Sequence, residues 1–329
     1  MEKRKFFAIL ASLAILVAML PMAVFADEDQ TTGQFTTANS APSVGDLGIY
    51  ETDHTTAVTA MTPGTEYAVK VTVTDANTLD DLSTIQVTIF FDADSDDDPA
   101  DVPTVGDTQT AAILTWTKGT PSTWTINAGS PTTWAIVSAN CVEPSLSGST
   151  GTWWFHFRPG KVATEATDWD AYAVATDNNS ATGTRYDGSD YDMNWYGEVT
   201  VGTALVDWGT LAPGTDYTIQ TGIQVNYLAN GGYNQQIKAG ATWAGASHSA
   251  TLNAAGTPAG NEFSLMADDD NTIAGAVQVL SAAYTTFNTG TQTGESGHDE
   301  IGNSLWLKLG SPFFEDTYSG AIYFQIIND

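Results

Sequence analysis

The chain has one cysteine, Cys141, among 329 residues, and only ten lysines and arginines against 39 aspartates and glutamates. A single thiol closes no intramolecular disulfide, so stability has to come from core burial, for which a chain of roughly 300 residues is ample. Set in the apolar stretch from Ala135 to Val142, Cys141 reads as a small buried residue rather than a reactive thiol. Three of the ten basic residues, Lys3, Arg4 and Lys5, lie at the extreme N-terminus, so seven basic residues face 38 acidic ones beyond residue 26. Such a surface repels phosphate backbones, which excludes nucleic acid as a partner and makes cations the natural counterparts. Calcium binding, solubility in high salt and prevention of premature association all suit this balance, and composition does not choose among them.

Long apolar runs are equally scarce. The only one, Phe6 to Met22, follows Glu2-Lys3-Arg4-Lys5 and precedes Val24-Phe25-Ala26. That arrangement predicts a secretory signal peptide, residues 1–26, cleaved after Ala26. Pro21 and the small-residue site argue against a retained anchor, although about 18 apolar residues approach the spanning length. The expectation is a secreted, extracellular or cell-surface protein with no membrane span after cleavage. No stretch between Asp27 and Asp329 sustains a helical period, and the familiar catalytic motifs are missing. Gly245-Ala246-Ser247-His248-Ser249 lacks the closing glycine of a nucleophile elbow, and His54, His156, His248 and His298 have no metal-ligand spacing. Carboxylate pairs that cleave glycosides are set by space rather than by sequence. The chain is read as non-enzymatic.

What the chain has in quantity is strand alternation. Tyr67, Val69, Val71 and Val73 alternate with Lys70, Thr72 and Thr74, and Ile85, Val87, Ile89 and Phe91 repeat the pattern. Period two marks strands with one buried face, and the two runs are read as a β-hairpin sharing a core. It opens onto an acidic loop in which Asp92, Asp94, Asp96 and Asp98 alternate and Asp101 follows. These five carboxylates either converge on one hard cation, for which calcium with its six to eight oxygen ligands is the candidate, or form a solvated loop. The loop departs from the helix-loop-helix calcium pattern at Asp97, where glycine is needed, and at Pro103, where a glutamate belongs. Asp75, Asn77, Asp80 and Asp81, and separately Asp268, Asp269 and Asp270, are lesser candidates that suit turns.

Further short alternating runs, separated by Gly, Pro, Asn and Ser clusters, predict a sandwich architecture. Residues 27–40 read as a flexible arm, 41–178 as a first β-sandwich, 179–192 as a linker and 193–329 as a second β-sandwich. Thr62-Pro63-Gly64-Thr65-Glu66-Tyr67 is echoed by Ala212-Pro213-Gly214-Thr215-Asp216-Tyr217, which raises the prospect of two related units. The last run, Ala321 to Ile327, has large apolar residues on both faces and predicts a central strand covered on two sides. Asn178-Asn179-Ser180 is a glycosylation sequon in a loop.

The opening Asn39-Ser40-Ala41-Pro42-Ser43-Val44, the turn Pro63 to Tyr67 leading into Val69 to Asp75, and Asp80 to Ile85 before the next strand resemble the immunoglobulin-like modules of bacterial and archaeal surface proteins. The ending Tyr318 to Phe324 is similar to the final strand of exported surface and appendage sandwiches. The resemblance covers about half the chain. It implies an all-β fold of two immunoglobulin-like or jelly-roll-like sandwiches and a setting in surface layers, adhesins or filaments. Self-assembly, or binding to other cell-surface proteins or glycans, is then the expected role.

Ten tryptophans raise an alternative. Trp153, Trp154, Trp169, Trp195 and Tyr196, if exposed, would stack on sugar rings as in a carbohydrate-binding module of an extracellular polysaccharide-binding system. The competing reading places them in the core and between sheets. Neighbours along Trp153-Trp154-Phe155-His156-Phe157 must point to opposite faces, so at least one set faces away from any single core.

Overall fold

A computed structural model describes residues 29–329. The predicted signal peptide, and Asp27 and Glu28 of the arm, lie outside the described residues. Residues 29–38 are exposed and carry no regular secondary structure, and Asn39–Asp329 form a unit of their own. Its described elements are strands and two short 3-10 turns, Leu79–Asp81 and Pro99–Asp101, so the all-β expectation holds.

Two sheets enclose the first core. One runs in the order β1 (Ser43–Tyr50), β3 (Tyr67–Thr74), β8 (Thr150–Arg158), β7 (Ala135–Ile136). The other runs β2 (Ala60–Met61), β10 (Thr182–Met193), β9 (Ala166–Asp177), β4 (Leu82–Phe91), β5 (Ala111–Thr117), β6 (Thr123–Asn127). The alternating residues of β3 and β4 fall where their period requires: Val69, Val71, Val73, Ile85, Val87 and Ile89 are fully buried in one cluster. The two strands do not form a hairpin, however. β3 pairs with β1 and β8, while β4 pairs with β5 and β9. The Leu79–Asp81 turn carries the chain from one sheet to the other, so the two apolar faces meet across the core instead of lying side by side. Trp153 of β8 packs edge-on against Trp116 of β5 across the same gap, with centroids 5.4 Å apart.

A second core lies between a sheet ordered β11 (Gly197–Val201), β12 (Thr218–Ala229), β19 (His298–Leu309), β16 (Glu262–Asp268), β15 (Ser249–Leu252), β14 (Thr242–Ala244) and a smaller one ordered β18 (Thr285–Gly290), β13 (Tyr233–Ala239), β20 (Ile322–Asn328). β17 (Val277–Gln278) pairs with β16. Ile223, Val225, Tyr227, Ile237, Phe263, Leu265 and Leu305 fill this core.

Two expectations change here. Most of the stretch 179–192, read as a linker, belongs to β10, which is paired antiparallel to β9 along its length. Its composition misleads because only Tyr191 and Met193 of the strand are buried, leaving the polar, glycine-containing remainder at the surface. The final strand, β20, is an edge and not a central strand: it pairs with β13 alone. Ile326 is buried, whereas Tyr323 and Ile327, on the opposite face, are exposed.

The repeated turns are alike in backbone as well as sequence. Gly64 and Gly214 both adopt φ 77°, a left-handed conformation that glycine takes without a Cβ penalty. Thr65 N–H donates to the Thr62 carbonyl and Thr215 N–H to the Ala212 carbonyl. Gly64 N–H reaches the Pro159 carbonyl just beyond β8, and Gly214 N–H the Gly310 carbonyl just beyond β19. The acid that follows pairs with a base on that neighbouring strand in both places, Glu66 with Arg158 at 2.9 Å and Asp216 with Lys308 at 3.2 Å.

The two cores are joined by polar contacts around Asn230, which is fully buried. Its Nδ2 donates to the Ala163 and Asn194 carbonyls, and its Oδ1 accepts from Tyr196 N–H. Gln109 Nε2 donates to the Thr293 carbonyl and Gln292 Nε2 to the Val162 carbonyl. Lys161 pairs with Glu198 at 2.8 Å.

Candidate metal centre

The acidic loop begins where β4 ends. Asp92 N–H donates to the Asp168 carbonyl, which holds the start of the loop against β9 and leaves the Asp92 side chain buried. The chain then folds back on itself through two residues of positive φ, Ser95 and Asp97. Asp97 N–H donates to Asp92 Oδ2, Asp98 N–H to Asp96 Oδ1, and Asp98 caps the 3-10 turn by accepting from Ala100 N–H.

This folding gathers carboxylates in three overlapping groups, each with oxygens within 4.8 Å of one another. Asp92, Asp94 and Asp96 form one, Asp96, Asp98 and Asp101 a second, and Asp92, Asp97 and Asp170 a third. All five residues singled out from the sequence belong to these groups, but they do not converge on one point, because Asp98 and Asp101 join Asp96 at the exposed rim while Asp92 faces inward. Asp97 and Asp170 complete the inner group. Asp97 occupies the position where the sequence lacks the expected glycine, and it takes the positive φ itself, which aspartate tolerates better than most residues. Its carboxylate reaches inward because Gly188 leaves room: a Cβ there would lie 2.3 Å from Asp97 Oδ1. Asp170 is fully buried on β9 and accepts from Tyr186 Oη at 2.7 Å. Nothing in its sequence surroundings separates it from the other residues of an alternating strand.

The electrostatics of the cluster are those of crowded negative charge. The neighbouring Asp92, then Asp96, pushes the Asp94 carboxyl above its ordinary range. Burial does the same for Asp170 and, followed by repulsion from Asp97, for Asp190. Burial acts on Asp92 as well, but hydrogen bonds from Asp94 and from the N–H groups of Asp97, Asp94 and Ser95 outweigh it and leave that carboxyl low. Among the described residues, no lysine, arginine or histidine lies within 4 Å of these carboxylates. The donor set, anionic oxygens only, suits a hard cation, and oxygens on opposite sides of calcium lie about 5 Å apart at its usual 2.3–2.6 Å bond lengths.

The aromatic candidates divide. Trp153 and Trp169 are fully buried in the first core and offer no face to a sugar; they are packing residues because the strands that carry them are covered on that side. Trp154, one step along from Trp153, points the other way and stacks on His54 with centroids 4.0 Å apart. Trp195 is half-buried with Nε1 donating to the Gly232 carbonyl, and Tyr196 hydroxyl donates to Glu198. The four histidines, unrelated by spacing, include a pair brought together in space: His54 Nε2 and His156 Nε2 are 2.8 Å apart, and His156 Nδ1 lies 3.0 Å from Glu66. Beside them, burial raises the Cys141 thiol to about 11, which keeps it protonated at neutral pH. The segment Gly245 to Ser249 also has a structural use, since the N–H groups of Ala246, Ser247 and His248 all donate to the Asp316 carboxylate.

No protein-family model matches the chain, and no curated protein matches it. Among solved structures, similarity was found to the secreted serine protease VesC from Vibrio cholerae, 11% identical with a TM-score of 0.17, over 86% of this chain and 50% of that one. The C-terminal domain of the Streptococcus pyogenes antigen I/II-family protein AspA is 10% identical with a TM-score of 0.22, over 88% of this chain and 90% of that one. Dimeric latent PorU from Porphyromonas gingivalis gives 10% identity and a TM-score of 0.13, over 86% and 34%. The chain thus spans half the length of the VesC structure. At these scores none of the three carries an argument about this chain.

Proposed function

We propose that this is an exported, non-enzymatic protein that assembles or adheres at the cell surface, with calcium ordering the loop Asp92 to Asp101. The observation that carries the reading is the inner carboxylate group, Asp92, Asp97 and Asp170, backed by Asp94 and Asp190 and without a basic neighbour. Left alone, these charges repel one another and oppose the folded loop. A divalent cation would neutralise them and fix the loop to the β4 and β9 ends, turning a repulsive end of the sandwich into a rigid one that can make lasting contacts. The sequence resemblance to surface-protein modules and the anionic, lysine-poor composition support the setting.

Light scattering across a calcium titration, with an Asp94→Asn, Asp96→Asn variant beside the wild type, tests this. Growth of large particles with calcium, lost in the variant, is expected. A monodisperse monomer at every calcium concentration overturns self-assembly and leaves adhesion, which a pull-down on polysaccharides and surface extracts then examines. Specific sugar binding lost on Trp154→Ala would favour the carbohydrate-binding alternative.

A further inference from the structure

A second group of carboxylates lies at the opposite end of β4. That strand is ten residues long, so its ends are roughly 30 Å apart at about 3.3 Å per residue, and Asp81 immediately precedes it as Asp92 follows it. Asp75, the first residue after β3, Asp81, at the end of the 3-10 turn, and Asp177, the last residue of β9, each bring an oxygen within 4.8 Å of the other two. The two ends of the connection between β3 and β4 therefore converge here with the end of β9. Asp75 and Asp177 are only 1% and 2% exposed.

The protein supplies partners for part of this charge and leaves one oxygen without any. Asp177 Oδ1 accepts from the N–H groups of Asn179 and Ala181, and its Oδ2 accepts from Asn39 Nδ2. Asn178 Nδ2 donates to Asp81 Oδ1. Asp75 Oδ1 accepts from Asn77 N–H, but Asp75 Oδ2 is buried and has no hydrogen-bond partner among the described residues. The nearest sequence neighbour with a basic partner is Asp80, whose ion pair with Lys118 leaves the three others without a lysine. A buried carboxylate oxygen with no donor is strongly unfavourable, and a metal ion is one of the few partners that removes the cost for an anionic oxygen.

We propose that Asp75, Asp81 and Asp177 form a calcium site, separate from the loop at the other end of β4. The ligands are hard oxygens from both ends of the β3–β4 connection and from β9, their span matches the width of a calcium coordination shell, and the unpartnered Asp75 Oδ2 gives the ion a specific place to bind. The site ties the start of β4 and the end of β9 to the end of β3, at the connection that crosses from one sheet to the other. It also reaches the entry of the chain into the first sandwich, because Asn39 is bonded to Asp177 and Ser40 N–H donates to Asn77 Oδ1. Binding here would stiffen the edge where the two sheets of the first core are joined, independently of whether the Asp92 loop assembles anything.

The experiment is calorimetric titration of the calcium-stripped protein with calcium chloride, comparing wild type with Asp75→Asn and with the loop variant Asp94→Asn, Asp96→Asn. The expected result is that Asp75→Asn loses one calcium equivalent that the loop variant keeps, and that the calcium-dependent rise in Tm falls with it. An Asp75→Asn protein that is folded by circular dichroism and binds the same number of equivalents as wild type overturns the proposal, as does a wild type that binds none at millimolar calcium. If Asp75→Asn fails to fold, the half-buried Asp81→Asn replaces it under the same two criteria. A loop variant that loses every equivalent also overturns the second site while leaving the loop site standing.

Discussion

The two turns that open β3 and β12 use one backbone device in two settings. In the first, Glu66 is half-buried among Arg158, His156 and Asn140; in the second, the side chain of Asp216 is 82% exposed and meets the adjacent Tyr217 N–H and Lys308. The contrast extends to the halves as wholes. Among the described residues, every buried carboxylate, Asp75, Asp92, Asp170 and Asp177, lies in the first half, whereas the buried polar residues of the second, among them Asn230, Gln235, Ser264, Asn303 and Ser304, are neutral. Where the second half holds a carboxylate tightly, at Asp316, it surrounds it with backbone N–H donors. Backbone donors solvate an anion permanently, while converging carboxylates need something brought from outside. On the proposed reading, the first half would take a cation where the second half meets Asp316 with its own backbone N–H groups.

Substitutions can break this comparison at several strengths. Trp153→Ala empties a fully buried site facing Trp116 and is expected to cost ~3–5 kcal/mol; scanning calorimetry should show the transition of the first core falling furthest. Asn230→Ala removes the amide that joins the halves and strands buried partners on both sides, for a loss of about 2–3 kcal/mol in chemical denaturation. Should the halves then melt separately, the polar junction is what couples them. Glu66→Gln is expected to cost about 1–2 kcal/mol through weakened charge-assisted bonds, and Asp216→Asn to leave the midpoint unmoved. Equal effects at the two turns would erase the distinction drawn above.

Acid should separate the halves further. The Asp316 carboxyl, held down to about 2 chiefly by Ser247 N–H and the other backbone donors against the opposing effect of burial, is more acidic folded than unfolded. Its contribution is present above the ordinary carboxylate range and is lost as pH falls toward 2. Asp170 is shifted the other way by burial, so its ionisation opposes folding as pH rises above the unfolded value. In calcium-free buffer the stability of wild type relative to Asp170→Asn should therefore rise as pH is lowered from 7 toward 4; a difference that does not change with pH rules this out. Thermal melts of the two proteins across that range decide it.

The sequence disclosed strands better than it disclosed their partners. Alternation located β3 and β4, whose apolar residues Val69, Val71, Val73, Ile85, Val87 and Ile89 share one core, and it placed Trp153 and Trp154 on opposite sides. It did not reveal that β3 and β4 belong to different sheets, since a seven-residue polar connection serves a hairpin or a crossing equally well. β10 escaped notice because its polar residues outnumber its two buried anchors. The acidic loop was legible as a run of aspartates, but Asp170 and Asp177 are isolated residues on β9, and only the pairing of β9 with β4 carries each of them to a cluster.

The rarity of basic residues also shapes how the folded chain meets proteases. Of the seven lysines and arginines beyond residue 26, Lys70, Arg158, Arg185, Lys238 and Lys308 lie inside strands whose backbone is already paired. Lys118 and Lys161, the two outside strands, are held by Asp80 and Glu198. An enzyme of tryptic specificity needs an unpaired, extended segment to cut, so five of the seven targets are opened only when the sheets open, and Lys118 and Lys161 are the places where a first cut falls.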